Sequence, residues 1–91
     1  MAVTDAIDHD APTPVYKQLA AILRRRIEAG DLVGRLPAEA DLMEIYGLGR
    51  DSVRKGLTLL KEAGLIESVQ GRGTFVVPPD QRPKGEPESS E

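Results

Sequence analysis

Residues 36–66, LPAEADLMEIYGLGRDSVRKGLTLLKEAGLI, contain two apolar patterns of helical period on either side of a short break. The first pattern predicts a helix over Ala38–Tyr46, and the second predicts a helix over Arg50–Ala63 that ends at Gly64. The side chains expected to face the core are Leu42, Ile45 and Tyr46 in the first helix and Val53, Leu57 and Leu60 in the second. Because the break Gly47-Leu48-Gly49 has room only for a tight turn, the pair is typical of a helix-turn-helix.

A further amphipathic helix is predicted before this pair, over Pro14–Ala29. Thr13 is expected to be its N-cap, with proline at the first helical position, and Gly30 ends the pattern. The residues expected on its buried face are Val15, Leu19, Ile22, Leu23 and Ile27. The connector that follows is expected to hold a brief strand around Arg35-Leu36.

The pattern changes after the helices. Leu65–Gln70 and Thr74–Val77 are short segments rich in strand-forming residues, and Gly71-Arg72-Gly73 separates them. These features predict a β-hairpin with a glycine-flanked tip. The expected fold class is therefore α+β, mainly α: a winged helix-turn-helix with three helices followed by a β-hairpin wing.

Both ends of the chain lack the apolar periodicity of the centre. We expect a flexible arm over residues 1–12, a DNA-binding domain over residues 13–77 and a disordered polar tail over residues 78–91. The net charge is −3, but most of the excess acid lies in the arm and tail, and basic residues outnumber acidic ones in the domain. Local charge decides what a surface binds, so the acidic total does not exclude nucleic acid.

Composition also excludes several classes of function. The chain has no cysteine and a single histidine, His9, so no thiolate zinc site, metal cluster or catalytic triad is expected. We expect neither an enzyme nor a cofactor. No apolar run approaches the ~20 residues that a membrane span needs, so a cytoplasmic protein with no membrane partner is expected.

The side of the predicted Arg50–Ala63 helix that is not needed for the core carries Arg50, Asp51, Arg54, Lys55 and Thr58. In a helix-turn-helix this helix enters the major groove of DNA, where an arginine binds guanine through O6 and N7. Asp51 has two interpretations, a hydrogen bond from cytosine N4 or stabilisation of the helix N-terminus. The run Arg24-Arg25-Arg26 also has two, a contact to the DNA backbone or a solvated face.

Three segments together resemble the N-terminal DNA-binding domain of the GntR family: PVYKQLAAILRRRIEAGDL, LPAEADLMEIYGLGRDSVRKGLTLLKEAGLI and QGRGTFVV. The resemblance covers about Pro14–Val77 and implies a winged helix that binds operator DNA as a dimer, usually as a repressor. It implies base contacts from Arg50 and Arg54 and a phosphate contact from Ser52. Gly71 and Arg72 match the wing that touches the minor groove, with Gly73 completing the tip.

The expected function is therefore sequence-specific binding of double-stranded DNA by a transcription regulator. We expect a repressor that binds a palindromic operator, and the symmetry of such an operator favours a homodimer. Asp51 joins the base contacts, and Lys55 and Thr58 join the phosphate or wing contacts. The family's C-terminal effector-binding domain is not expected in this chain, which is either a minimal regulator or a truncated product. The rival interpretation is a winged helix that docks on a protein partner.

Overall fold

The computed structural model describes residues 6–82. Three helices precede a two-stranded antiparallel sheet, which confirms the expected fold class. The strands pair from Ile66 opposite Val76 to Val69 opposite Gly73, and residues 66–76 form the wing. The elements are α1 (Val15–Glu28), α2 (Glu39–Tyr46), α3 (Arg50–Glu62), β1 (Ile66–Val69), β2 (Gly73–Val76) and a 3-10 turn (Pro79–Gln81).

Helix α1 buries the face that its sequence pattern indicates, with Val15 half-buried at its start. The prediction that Thr13 is the N-cap is wrong, however. Pro14 takes that position and no side chain caps the helix, because Thr13 lies one residue too early to reach the first free N–H groups. Instead, the Pro14 carbonyl accepts hydrogen bonds from the N–H groups of Lys17 and Gln18. The buried residues are Leu19, Ala20, Ile22, Leu23 and Ile27.

Residues at both ends of the described range contact the domain. Ile7 packs against the core, and the Gln18 side chain accepts a hydrogen bond from the Asp8 N–H and donates to the Asp8 carbonyl. The flexible arm over residues 1–12 stays a prediction, although these contacts connect its second half to the domain. At the other end, the Arg82 guanidinium donates to the Val77 carbonyl across the 3-10 turn, where a disordered tail was expected. The rest of both predicted tails lies outside the described residues.

Helix α2 has a narrower buried face than predicted. Leu42 is buried and Tyr46 half-buried, but Ile45 is 61% exposed, so its inward assignment is wrong. In a helix of eight residues a single stripe meets the core, and here that stripe runs through Leu42, Met43 and Tyr46. Ile45 lies on the other side of Leu42. Leu48 in the turn is buried instead and fills the space beside α2.

The turn between α2 and α3 is tight because Gly47 adopts a left-handed conformation with φ of 67°. The N–H of Leu48 then donates to the Met43 carbonyl, which satisfies one of the last acceptors of α2. Gly64 adopts the same left-handed conformation after the end of α3, as predicted, with φ of 78°.

Helices α1 and α3 pack closely at Gly56, which is buried in the middle of α3. A Cβ atom at Gly56 would lie 3.0 Å from the Tyr16 carbonyl oxygen and 3.1 Å from Leu19 Cδ2. The absence of a side chain therefore lets the two helices approach. Their contact encloses Leu19 and Val53, neither of which has exposed surface.

The connector between α1 and α2 pairs with the free edge of β2. Arg35 forms a bridge with Phe75, the Leu36 N–H donates to the Thr74 carbonyl, and the Val76 N–H donates to the Gly34 carbonyl. Where a brief strand was expected around Arg35-Leu36, the described residues form a single β-bridge at Arg35 and no strand. The base of the wing is consequently held on two sides, by β1 and by the connector. Of the helices within residues 6–82, none has the length and apolarity that a membrane crossing requires.

Candidate nucleic-acid interface

The outer face of α3 carries a row of polar side chains, which we call the α3 stripe. Arg50 is the first residue of the helix, and Asp51 is the acidic residue of its first turn. The helix buries Val53, Leu57 and Leu60 as predicted, which leaves the stripe pointing to solvent. The stripe consists of Arg50, Asp51, Arg54, Lys55 and Thr58, all of them exposed.

Arg50 and Arg72 are available for a ligand. Arg50 lies at the N-terminal end of α3, and Arg72 lies at the tip of the wing. Among the contacts of residues 6–82, neither guanidinium has a hydrogen bond or an ion-pair partner. A guanidinium has five N–H donors, and within residues 6–82 all five of each group are unused.

Arg54 is paired instead. Its Nε lies 3.2 Å from each carboxylate oxygen of Glu39, the first residue of α2. The pair is on the surface, with 60% of the Arg54 side chain and 38% of the Glu39 side chain exposed. Sequence analysis did not assign Glu39 to the site. The two residues are 15 positions apart in different helices, and no local pattern connects them.

The remaining α3 candidates have partners within the domain. The Lys55 ammonium lies 5.6 Å from the centre of the Tyr16 ring, within the range of a cation–π interaction. The Thr58 hydroxyl donates to the Arg54 carbonyl at 2.9 Å, so it can accept but not donate a further hydrogen bond in this arrangement. Ser52 is half-buried and outside the exposed stripe.

The wing tip requires glycine at both flanks of Arg72. Gly71 has φ of 79° and Gly73 has φ of 116°, conformations that an L side chain rarely adopts. The Arg72 N–H donates to the Val69 carbonyl and closes the turn. Gly73 also makes room for Arg35, whose Nε would lie 3.0 Å from a Cβ at that position. The structure thus places the exposed Arg35 beside the tip, a cation that sequence analysis missed.

The described residues also lack the ligand cluster that a metal site requires. Residues 6–82 contain no group of three or more His, Asp or Glu side chains close enough to hold a metal ion.

The fold is shared with solved DNA-binding domains. YtrA from Sulfolobus acidocaldarius, a GntR-family transcription factor, matches with a TM-score of 0.72 at 32% identity, over 79% of this chain and 78% of that one. AraR(DBD) in complex with operator ORX1 matches with a TM-score of 0.70 at 31% identity, over 79% of this chain and 98% of that one. At 31–32% identity, these domains resemble the chain in sequence as well as in fold.

Curated relatives show the same resemblance in sequence. The chain is 37% identical over 75 residues to the HTH-type transcriptional repressor NagR of Bacillus subtilis, which covers 80% of the chain and 31% of the relative. It is 40% identical over 65 residues to the mannosyl-D-glycerate transport/metabolism system repressor MngR of Escherichia coli, covering 69% and 27%. The chain therefore spans about a third of the length of these relatives. The family model described as bacterial regulatory proteins, gntR family, matches residues 15–76. The chain belongs to the GntR family.

Proposed function

We propose that this chain binds double-stranded operator DNA and regulates transcription as a repressor. The observation that carries the proposal is a pair of guanidinium groups with no partner among residues 6–82, Arg50 at the start of α3 and Arg72 at the wing tip. A winged helix uses these two places to reach adjacent grooves of one duplex. NagR and MngR are named repressors, which supports this direction of regulation. AraR(DBD) was solved with an operator, which supports binding to operator DNA.

In the proposed complex, the N-terminal half of α3 lies in the major groove. Arg50 and Arg54 donate to guanine O6 and N7, the usual acceptors for a guanidinium fork. Asp51 either accepts from cytosine N4 or stabilises the N-terminus of α3 electrostatically. Lys55 supplies charge to nearby phosphates, and the Ser52 hydroxyl donates to one of them. Thr58 joins them once its hydroxyl turns from the Arg54 carbonyl to a phosphate oxygen.

The wing contributes the second contact. The backbone of Gly71 and Gly73 carries no side chain to hinder approach to the sugar-phosphate surface, and Arg72 enters the minor groove. Arg35 lies beside Gly73 and adds positive charge where the phosphate backbone passes. Because operators read by helix-turn-helix dimers are two-fold symmetric, we further propose that two copies occupy a palindromic site in the cytoplasm.

The experiment is selection of binding sites from a random duplex library, followed by footprinting and titration at several salt concentrations. Arg50→Ala is expected to weaken binding to the selected site by about 1–3 kcal/mol and to relax the base preference at one position. Arg24→Ala is the matched control, because it removes the same charge from a residue that pairs with Glu28 on α1. The control is expected to leave the base preference unchanged.

The rival function is docking of the same face on a protein partner. Binding through phosphates releases counterions, so affinity for DNA should fall steeply as salt rises. A chain that prefers no duplex over any other at low or high salt does not read DNA sequence, and the protein-docking function would then replace the proposed one.

A further inference from the structure

The ion pair between Glu39 and Arg54 leaves one side of the guanidinium unoccupied. Glu39 engages Nε, the nitrogen nearest the Arg54 backbone, through both carboxylate oxygens at 3.2 Å. The four N–H bonds of the two terminal nitrogens make no hydrogen bond within residues 6–82. Those terminal nitrogens are the ones that can reach beyond the domain surface, where 60% of the Arg54 side chain is exposed.

We propose that Glu39 is a positioning residue that determines base specificity by fixing Arg54 in the orientation that reads guanine. This inference rests on the proposed function and assigns one residue of α2 to the reading of one base pair. Glu39 itself does not touch the base in this account. Its effect passes through the Nε–carboxylate bond.

The physical reason is the flexibility of arginine. A free arginine side chain samples many rotamers, and ordering it on a base costs roughly 2 kcal/mol of conformational entropy. A charge-assisted hydrogen bond at Nε restricts those rotamers before DNA arrives. Because the bond uses Nε and not the terminal nitrogens, the restriction does not consume the donors that guanine needs.

The scaffold around the pair is suited to this role. Glu39 begins α2 and Arg54 lies in the second turn of α3, and the tight turn at Gly47 fixes the two helices relative to each other. The pair lies at the rim of a polar cleft of about 240 Å³ between α3 and the wing. The other residues that line this cleft are Leu57, Thr58, Lys61, Ser68 and Thr74.

A carboxylate this close to the proposed DNA-binding face also has a second effect, which disfavours binding to DNA of any sequence. Its charge repels phosphates, so it lowers affinity for every duplex equally. A residue that only repels DNA would raise all affinities when removed and leave base preference intact. A positioning residue would, on removal, lower the preference at one base pair while nonspecific affinity holds or rises. These opposite signs separate the two roles.

The experiment compares the full chain with Glu39→Gln and Glu39→Ala, using the site selected by the wild type and variants of that site at each position. The base pair read by Arg54 is first identified as the one at which Arg54→Ala loses its preference. Glu44→Gln is the matched control, since it removes the same charge from an exposed glutamate of α2. Thermal unfolding of each variant, followed by circular dichroism, shows whether it is folded.

We expect Glu39→Ala to lower the preference for guanine at that one base pair by about tenfold, within the range that a bidentate arginine contact provides. Glu39→Gln keeps an acceptor oxygen but loses the charge, and we expect an intermediate loss. In the Arg54→Ala background neither substitution should change base preference further. The control should keep the wild-type preference.

Two results would overturn the inference. In the first, Glu39→Ala keeps a preference within about twofold of the wild type at the base pair read by Arg54, and Glu39 then acts only by repelling phosphates. In the other, preference falls equally at every position of the site, which indicates a general loss of structure. A wild-type chain that shows no base preference at all refutes the proposed function, and the inference with it.

Discussion

The close approach of α1 and α3 at Gly56 predicts that Gly56→Ala destabilises the domain, although alanine is the better helix former. In an exposed helix, replacing an interior glycine with alanine stabilises by about 1 kcal/mol. Gly56 is instead buried, and the new Cβ would lie 3.0 Å from a backbone oxygen and 3.1 Å from a core leucine. The gain in propensity therefore opposes a steric cost.

The steric cost is expected to be larger than the gain. The oxygen in question belongs to Tyr16 in the first turn of α1, and it cannot rotate away as the end of a side chain can. Inserting one carbon into a packed interior costs about 1–3 kcal/mol, and two close contacts favour the upper part of that range. Subtracting the propensity gain leaves a net loss of about 1–2 kcal/mol. For a domain of this size, that loss lowers Tm by about 5–15 °C.

The assay is thermal and urea unfolding of the wild type and Gly56→Ala, followed by circular dichroism. Thr58→Ala is the control, because it also introduces alanine into α3 but at an exposed position. We expect the control to stay within about 0.5 kcal/mol of the wild type. If Gly56→Ala proves as stable as the wild type or more so, the reasoning that Gly56 sets the distance between the helices is refuted.

Three further comparisons between variants, each measured by unfolding, test other parts of the fold. Leu42→Ala should cost about 2–5 kcal/mol and Ile45→Ala less than about 0.5, since the first side chain is buried and the second 61% exposed; equal losses would contradict the observed face of α2. Gly47→Ala should cost about 1–2 kcal/mol and Gly47→Asn less, because φ is 67°; equal costs would mean that the left-handed turn is not required. Gly73→Ala should destabilise the wing by about 1–3 kcal/mol and weaken DNA binding, through φ of 116° and the contact with Arg35. In the double variant Gly73→Ala/Arg35→Ala, only part of the lost stability should return, and complete recovery would exclude backbone strain at position 73.

The sequence predicts the helix-turn-helix to within one residue at each helix end because glycines mark the breaks. Gly47 and Gly49 bracket the turn, and Gly64 ends α3, so local chemistry and tertiary structure agree there. The hairpin is also predicted, since two runs of strand-forming residues flank a glycine-rich tip. These are features that depend on residues adjacent in the chain.

The features that sequence analysis missed depend on contacts between distant residues. The orientation of Ile45 and Leu48 is decided by how a short α2 rests on the core, which periodicity over eight residues cannot specify. Gly56 carries no hydrophobic signal, although its lack of a side chain sets the distance between two helices. The Glu39–Arg54 pair joins two helices and has no pattern of its own.

The candidate site was predictable in outline for a related reason. Residues left over when the core face of α3 is assigned must point to solvent, so the exposure of Arg50 and Arg54 follows from the burial of Val53 and Leu57. Exposure alone does not indicate what each side chain contacts. The internal partners of Lys55 and Thr58 emerge only from the structure.

The attachment of β2 on both of its edges has a consequence for the DNA. With the connector on one edge and β1 on the other, the tip at Arg72 stands at a set distance from the start of α3. In the proposed complex, a duplex held at both places has to match that spacing by its own curvature and groove width, at an elastic cost that varies with base sequence. If the proposed complex forms, base pairs between the two points of attachment would influence which stretches of a genome are occupied without contacting a side chain.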